Sequence, residues 1–232
     1  MKTITRGAIA ILVYVGLAGA SLADVPNIAP VNTSPGGQTY GHWAAEWWQW
    51  ALGVPGDRNP MFDADGTYCA ERQLGDVWFL AGSFGTDPVE RSCTVPAGTS
   101  LFFPLINSAY GAFLNDPPET RTDEAVRAFA ACPDAVSNLS PVVDGFAVPR
   151  LHQFLVSAAD SPLFNVQLAP GNPFGFDESI VPELVFSPTA QEGYYVFLKP
   201  LSAGLHTIEV YAEGCFPGFS QNLTFSITVT SD

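Results

Sequence analysis

The sequence predicts a mainly β protein: a single antiparallel β-sandwich, jelly-roll-like, with a tryptophan-rich helix and one further helix packed outside it. Three observations predict it. About nine short runs of strand pattern follow one another closely, 20 prolines and 21 glycines punctuate them, and only two segments carry helical periodicity. Short strands with frequent turns and few helices are the mark of sandwiches and barrels, and a chain of 232 residues fits one such domain.

Residues 1–23 read as a secretory signal. Lys2 and Arg6 give the positive start, Gly7 to Ala20 the apolar run, and Ser21-Leu22-Ala23 the small-x-small cleavage pattern. The run of about 14 residues is short of the roughly 20 that span a bilayer. Nothing later is long and apolar enough either, so the expectation is a secreted or periplasmic protein with no membrane insertion after signal removal. Residues 24–38, rich in Pro, Gly, Asn and Ser, form an extended lead-in, and residues 39–232 the sandwich domain with its accessory helices.

The first helix is the most informative segment. Four of the five tryptophans lie in Tyr40-Gly41-His42-Trp43-Ala44-Ala45-Glu46-Trp47-Trp48-Gln49-Trp50-Ala51-Leu52. At roughly 100° per residue the apolar side chains sweep an arc of about 220°, whereas a helix lying on a globule needs only about 100°. This helix must be covered on most of its circumference. His42, Glu46 and Gln49 make the narrow polar stripe that remains. Thr39 is placed to cap the helix, and Gly53 and Pro55 to stop it.

Val77 to Phe84, Glu90 to Val95 and Ser100 to Asn107 are the first candidate strands, joined by Gly85-Thr86-Asp87-Pro88 and Pro96-Ala97-Gly98. Turns this short imply antiparallel neighbours. Val77-Trp78-Phe79-Leu80-Ala81 and Leu101-Phe102-Phe103 are apolar on both parities, the pattern of strands buried on both faces. The tryptophan helix is the natural cover for the second face. Thr122 to Cys132 is the other helix, with Thr122 as cap, Asp123 and Glu124 in the first turn, and Val126, Phe129 and Ala130 at helical spacing. Strands then return at Leu139 to Val143, Gln153 to Ser157, Phe164 to Leu168, Tyr194 to Leu198, Leu205 to Tyr211 and Asn222 to Thr230. The last alternates one apolar and one polar face most cleanly.

Composition excludes some functions. The chain carries nine basic residues against 23 acidic ones, and its net charge is −14. Once Lys2 leaves with the signal, Lys199 is the only lysine. Phosphate neutralisation needs Lys and Arg, so nucleic acid is not an expected partner. Cys69, Cys93, Cys132 and Cys215 occur in a chain read as exported, where thiols pair. Three connectivities are open. The expected one is Cys69 with Cys93 and Cys132 with Cys215, because the first two flank one hairpin-like unit.

Chemistry-bearing motifs are sparse. His42 and Glu46, one turn apart, could make an acid–base pair, but no nucleophile motif accompanies them. His42, His152 and His206 lack metal-ligand spacing, and Asp63-Ala64-Asp65-Gly66-Thr67 begins like a calcium loop but has Tyr68 and Leu74 where glycine and glutamate belong. An aspartate-stabilised turn is the expectation there. No metal or other cofactor is implied. Most aromatics occur in core-patterned runs, and Phe174 and Phe176, in the loop Pro170 to Phe176, are the exceptions. The candidate ligand-binding residues are therefore His42, Glu46, Gln49, Phe174 and Phe176.

Tyr40-Gly41-x-Trp43-Ala44-x-x-Trp47-Trp48-Gln49-Trp50, Val77-Trp78-Phe79-Leu80-Ala81-Gly82, Cys93-Thr94-Val95-Pro96-Ala97-Gly98, Leu101-Phe102-Phe103-Pro104 and Gly193-Tyr194-Tyr195 to His206-Thr207-Ile208 together resemble an uncharacterised family of exported, mostly bacterial proteins. The resemblance implies export and one domain, and no activity. The functional expectation is a non-catalytic module that binds a ligand or partner, such as a carbohydrate or another cell-envelope protein. The competing expectations are a polysaccharide hydrolase using Glu46 with a second carboxylate, and a structural surface protein.

Overall fold

The computed structural model describes residues 26–132 and 134–231; the segment read as an export signal lies outside the described residues. In chain order these residues form α1 (Tyr40–Gly53), β1 (Val77–Phe79), β2 (Val89–Val95), β3 (Ser100–Phe113), α2 (Asp123–Ala130), β4 (Asp134–Leu139), β5 (Val142–Val143) and β6 (Phe146–Ala147). There follow β7 (Leu155–Val156), β8 (Phe164–Gln167), β9 (Val185–Leu198), β10 (Gly204–Cys215) and β11 (Ser220–Val229). Two sheets pack face to face. The first runs β1-β3-β9-β7 with β8 also on β9; the second runs β2-β11-β10-β5-β6 with β4 also on β10. The protein is thus a mainly β sandwich with two helices.

The first sheet is buried on both faces, as its apolar runs require. Phe102, Tyr195 and Phe197 share one face, with Phe102 opposite Phe197 in the ladder and stacked on Tyr195 at 5.4 Å between ring centroids. Leu101, Phe103, Val196 and Leu198 alternate onto the other face and join Ile208, Val210, Leu223, Phe225 and Ile227 of the second sheet in one core. α1 lies over the first face. Its Tyr40 meets Phe102 edge-on at 5.8 Å, and Trp43 packs 6.0 Å from Phe197.

The polar stripe of α1 is where the wheel puts it: His42 and Gln49 are exposed, Glu46 is half-buried, and every other residue from Tyr40 to Gly53 is buried. Burying an indole N–H without a partner is costly, and each helix tryptophan avoids it with a different acceptor. Trp43 donates to Pro35 O (2.8 Å), Trp47 to Leu80 O (2.9 Å), Trp48 to the Tyr195 hydroxyl (3.2 Å) and Trp50 to Glu71 O (2.9 Å). Four points of the chain, from Pro35 to Tyr195, are thereby tied to one helix. Tyr40 adds a fifth link, donating to Ala29 O at 2.6 Å and accepting from Phe197 N.

The strand connections differ from the hairpins expected of the short turns. β1 pairs with β3 in parallel, and β2 pairs with β11 in parallel over seven residues from Val89–Leu223 to Val95–Val229. The Pro96-Ala97-Gly98 turn therefore carries the chain from one sheet to the other. Thr230 holds it there, its N–H donating to Val95 O and its hydroxyl accepting from Ala97 N. Turn residues set a change of direction; the burial of Arg91, Cys93 and Val95 between the sheets sets the partner. Asp144-Gly145 is a turn that does close a hairpin, β5 to β6, with both residues at positive φ (50° and 79°).

α2 packs on the first sheet through Val126 and Ala130, which meet Ala112, Ala158 and Ala190. Thr122 caps it, accepting from Ala125 N. Phe129, expected in the core, is instead 56% exposed, with one ring face on Tyr110 at 4.8 Å. A disulfide joins Cys132, just past α2, to Cys215 at the end of β10. The other expected bridge is absent: Cys69 and Cys93 are free thiols, near enough for the Cys93 side chain to lower the Cys69 pKa, and the Cys69 thiol donates to Ser92 O at 3.9 Å. Ser92 N donates to Asp65 O at 2.9 Å, which fastens the Asp63–Cys69 turn to β2 and explains why the two sulfurs meet.

Candidate functional site

A cleft of about 650 Å³ opens at one end of the sandwich, and eight consecutive residues of β3, Pro104 to Gly111, line it. Three loops form its other walls. They are the segment after β1 (Gly82, Ser83, Phe84, Thr86), the segment holding Phe174 and Phe176, and the β10–β11 hairpin (Phe216 to Phe219). Trp48 and Leu52 of α1 also reach it.

Each loop is held by polar chemistry at its base. Gln221 at the start of β11 clamps Ser83 reciprocally, its carbonyl accepting from Ser83 N (2.9 Å) and its amide donating to Ser83 O. Arg91 adds a second anchor. It is 3% exposed and donates to Asp63 O (2.8 Å), Ala81 O (2.6 Å) and Gly82 O (3.1 Å). Burial lowers its pKa while Asp63 raises it, and Asp63 itself accepts from the N–H groups of Asp65 and Tyr68. The aspartate-stabilised turn is therefore present, with both carboxylates of the calcium-like segment spent on their own backbone; Asp65 accepts from Thr67.

Asn172 holds the second loop. Its side chain is 4% exposed, accepts from the N–H groups of Phe174 and Phe176 (both 3.2 Å) and donates to Phe176 O (2.7 Å). Pro170, Gly171, Pro173 and Gly175 are the composition that marks Pro170 to Phe176 as a loop; an Asn before Pro is a further turn signal. The third loop begins at the Cys132–Cys215 bridge and is closed by Phe219 N donating to Phe216 O.

The cleft is aromatic and uncharged. A file of rings crosses its mouth: Phe62 on Phe84 (5.2 Å), Phe84 on Phe174 (5.5 Å), Phe174 on Phe176 (5.6 Å), and Phe176 within 6.3 Å of both Phe113 and Phe186. Phe84, Phe174 and Phe216 are each about two-fifths exposed. Among the described residues, no Asp, Glu, His, Lys or Arg lines the cavity, in a chain whose net charge is −14. Its one ionisable group is the Tyr110 hydroxyl, whose pKa is pushed up by burial and by the Asp116 carboxylate.

At the floor, Asn107 and Trp48 both donate to the Tyr195 hydroxyl, which donates to Gln191 (2.7 Å). Gln191 in turn donates to the Ser161 hydroxyl. The members of this network bond to one another, and Tyr195, Gln191 and Ser161 are all buried.

β3 also presents an open backbone edge to the cleft. β1 covers only Ser100 to Phe102, and Leu80 N donates to Phe102 O. Beyond that, the side away from β9 has no strand and receives no hydrogen bond from the described residues as far as Ala112. The ladder shows which groups face it. Phe102 points its carbonyl to Leu80, and its partner Phe197 points its own to Ala29. Stepping by twos past the one-residue bulge between Pro104 and Ile106, Asn107, Ala109 and Gly111 turn their N–H and C=O groups away from β9.

Of the candidate residues, Phe174 and Phe176 line this cleft, whereas His42, Glu46 and Gln49 do not. Those three brace α1. His42 Nδ1 lies 2.8 Å from the Thr39 hydroxyl, Gln38 donates to Glu46 (2.7 Å), and Gln49 donates to Asn165 O (2.8 Å). Glu209, one of the carboxylates that could serve as a partner to Glu46, is on β10 in the other sheet. His206 lies between Asp144 (2.7 Å) and Ser202 O (2.9 Å), and no group of three or more His, Cys, Asp or Glu side chains among the described residues could hold a metal ion. Asn172, Gln221, Arg91 and Asn107 were not singled out from sequence. Only Asn172 carried a local signal.

Comparison with family models, with curated proteins and with solved structures found no match.

Proposed function

We propose that the protein is an exported, non-catalytic binding module whose site is the aromatic cleft, and that it takes an uncharged, largely apolar ligand. The carrying observation is a cavity of about 650 Å³ lined by Trp48, Tyr110 and six phenylalanines with no charged side chain. That size lies inside the roughly 300–1,000 Å³ of small-ligand sites, which are mostly apolar with a few oriented polar groups. Exposed rings clustered on one rim mark a binding surface, and three separately anchored loops keep it formed without ligand. Export is supported by the leader pattern of residues 1–23 and by the Cys132–Cys215 bridge; no helix among the described residues is long and apolar enough to cross a membrane.

A carbohydrate is less well matched, since the wall offers few hydroxyl partners. Hydrolysis through Glu46 is disfavoured because that carboxylate is engaged by Gln38 outside the cleft. Titration of the purified protein with the neutral fluorophore N-phenyl-1-naphthylamine tests the proposal. Saturable enhancement, weakened by Phe174→Ala, is expected; turnover of a polysaccharide panel with no fluorophore binding would refute it.

A further inference from the structure

The geometry points to a specific class of ligand: an extended, uncharged peptide segment that adds to the β3 edge as a further strand of the first sheet. This inference rests on the cleft being the binding site. An apolar small molecule would satisfy the rings and leave the backbone groups of Asn107, Ala109 and Gly111 without partners. Those three residues span about 13 Å at strand spacing. They offer N–H and C=O groups at alternate residues, a pattern that only another extended backbone matches in register.

The start of the site is set by sequence. Pro104, where β1 has already ended, has no N–H to give on that side, so addition begins beyond it. Natural sheets blunt such an edge with Lys, Pro or charge. Leu105 to Ala112 contains none of these. The aromatic walls, Phe84, Phe174 and Phe176 in one chain of ring contacts and Phe216 with Phe219 in another, then read side chains of the added strand. In an acidic chain, the uncharged lining selects a segment without acidic residues.

The test uses a positional-scanning library of end-blocked heptapeptides built from Val, Phe, Thr, Ser and Gly, read by displacement of N-phenyl-1-naphthylamine from the purified protein. The best peptide is then resynthesised with a single N-methyl group at each backbone nitrogen in turn. Strand addition predicts that methylation weakens binding about tenfold at alternate positions and little between them, and that peptide slows amide exchange at Asn107, Ala109 and Gly111. If the fluorophore binds but no peptide displaces it, or methylation shows no alternation, the peptide inference is overturned while the apolar cleft stands. If neither fluorophore nor peptide binds, both readings fail. Concentration-dependent dimerisation that protects the same three amides without peptide would replace the peptide with a second copy and overturn the inference.

Discussion

Trp47 gives the account its most demanding stability test. The side chain is fully buried (0% exposed) and packs edge-on against Trp48 at 5.1 Å and against Trp50 at 6.1 Å. Removing about 150–250 Å² of aromatic surface from the core at ~25 cal/mol per Å² forfeits about 4–6 kcal/mol. Truncation also orphans Leu80 O, which accepts the indole N–H at 2.9 Å, at a cost of about 1–3 kcal/mol. Partial collapse of the cavity and the better helix propensity of alanine each return a part. Trp47→Ala is therefore expected to lose about 4–5 kcal/mol. Trp47→Phe, which keeps most of the ring and loses the donor, is expected to lose about 1–3 kcal/mol. Urea unfolding followed by far-ultraviolet circular dichroism measures both, with the disulfide intact throughout. A Trp47→Ala protein within about 1 kcal/mol of the parent at unchanged denaturant slope would refute the claim that this helix closes the first sheet.

Other positions give independent checks. Gly66 sits at φ 94°, and an added Cβ would lie 2.6 Å from Ser92 N; Gly66→Ala should cost about 1–3 kcal/mol in the same assay through strain and overlap. Thiol titration of the unfolded, unreduced protein should count Cys69 and Cys93 as free and find Cys132 and Cys215 linked, and a Cys69–Cys93 crosslink in a peptide map would contradict this. The Cys93 side chain lowers the Cys69 pKa against the opposing effect of burial. Its thiolate thus forms at lower pH than that of an ordinary cysteine, so the rise in its alkylation rate should sit to the acidic side and move back up in Cys93→Ala. Asn172→Ala removes three hydrogen bonds that position Phe174 and Phe176, and should weaken fluorophore binding about fivefold through lost preorganisation while the fold persists.

How far these features could be read in advance depends on whether the cause is local. The α1 stripe was legible because helical periodicity is a property of neighbours: His42, Glu46 and Gln49 fell out of the spacing of the tryptophans alone. The two-sided burial of Leu101-Phe102-Phe103 was legible for the same reason. The partners of β1 and β2 were not, because Gly85 to Pro88 and Pro96 to Gly98 announce reversals whether the chain stays in its sheet or crosses to the other. Phe129 carried helical spacing, yet it lies about 80° round the helix from the midline of Val126 and Ala130, which meet Ala112, Ala158 and Ala190, and so sits at the flank on Tyr110. The cleft draws its walls from four separated segments, so only Phe174 and Phe176, out of pattern with the strands, hinted at it. Gln221 and Arg91 read as ordinary strand residues; what they do depends on loops more than a hundred residues away for Gln221 and on the crossing of two loops for Arg91.

The central claim is that the aromatic cleft, and not the polar stripe of α1, is where this protein meets its ligand. Amide chemical-shift mapping with N-phenyl-1-naphthylamine tests it most directly. Saturable shifts confined to Asn107 through Gly111, Phe174 through Phe176 and Phe216 through Phe219 are expected. Shifts centred on His42, Glu46 and Gln49, or none at saturating fluorophore, would contradict it.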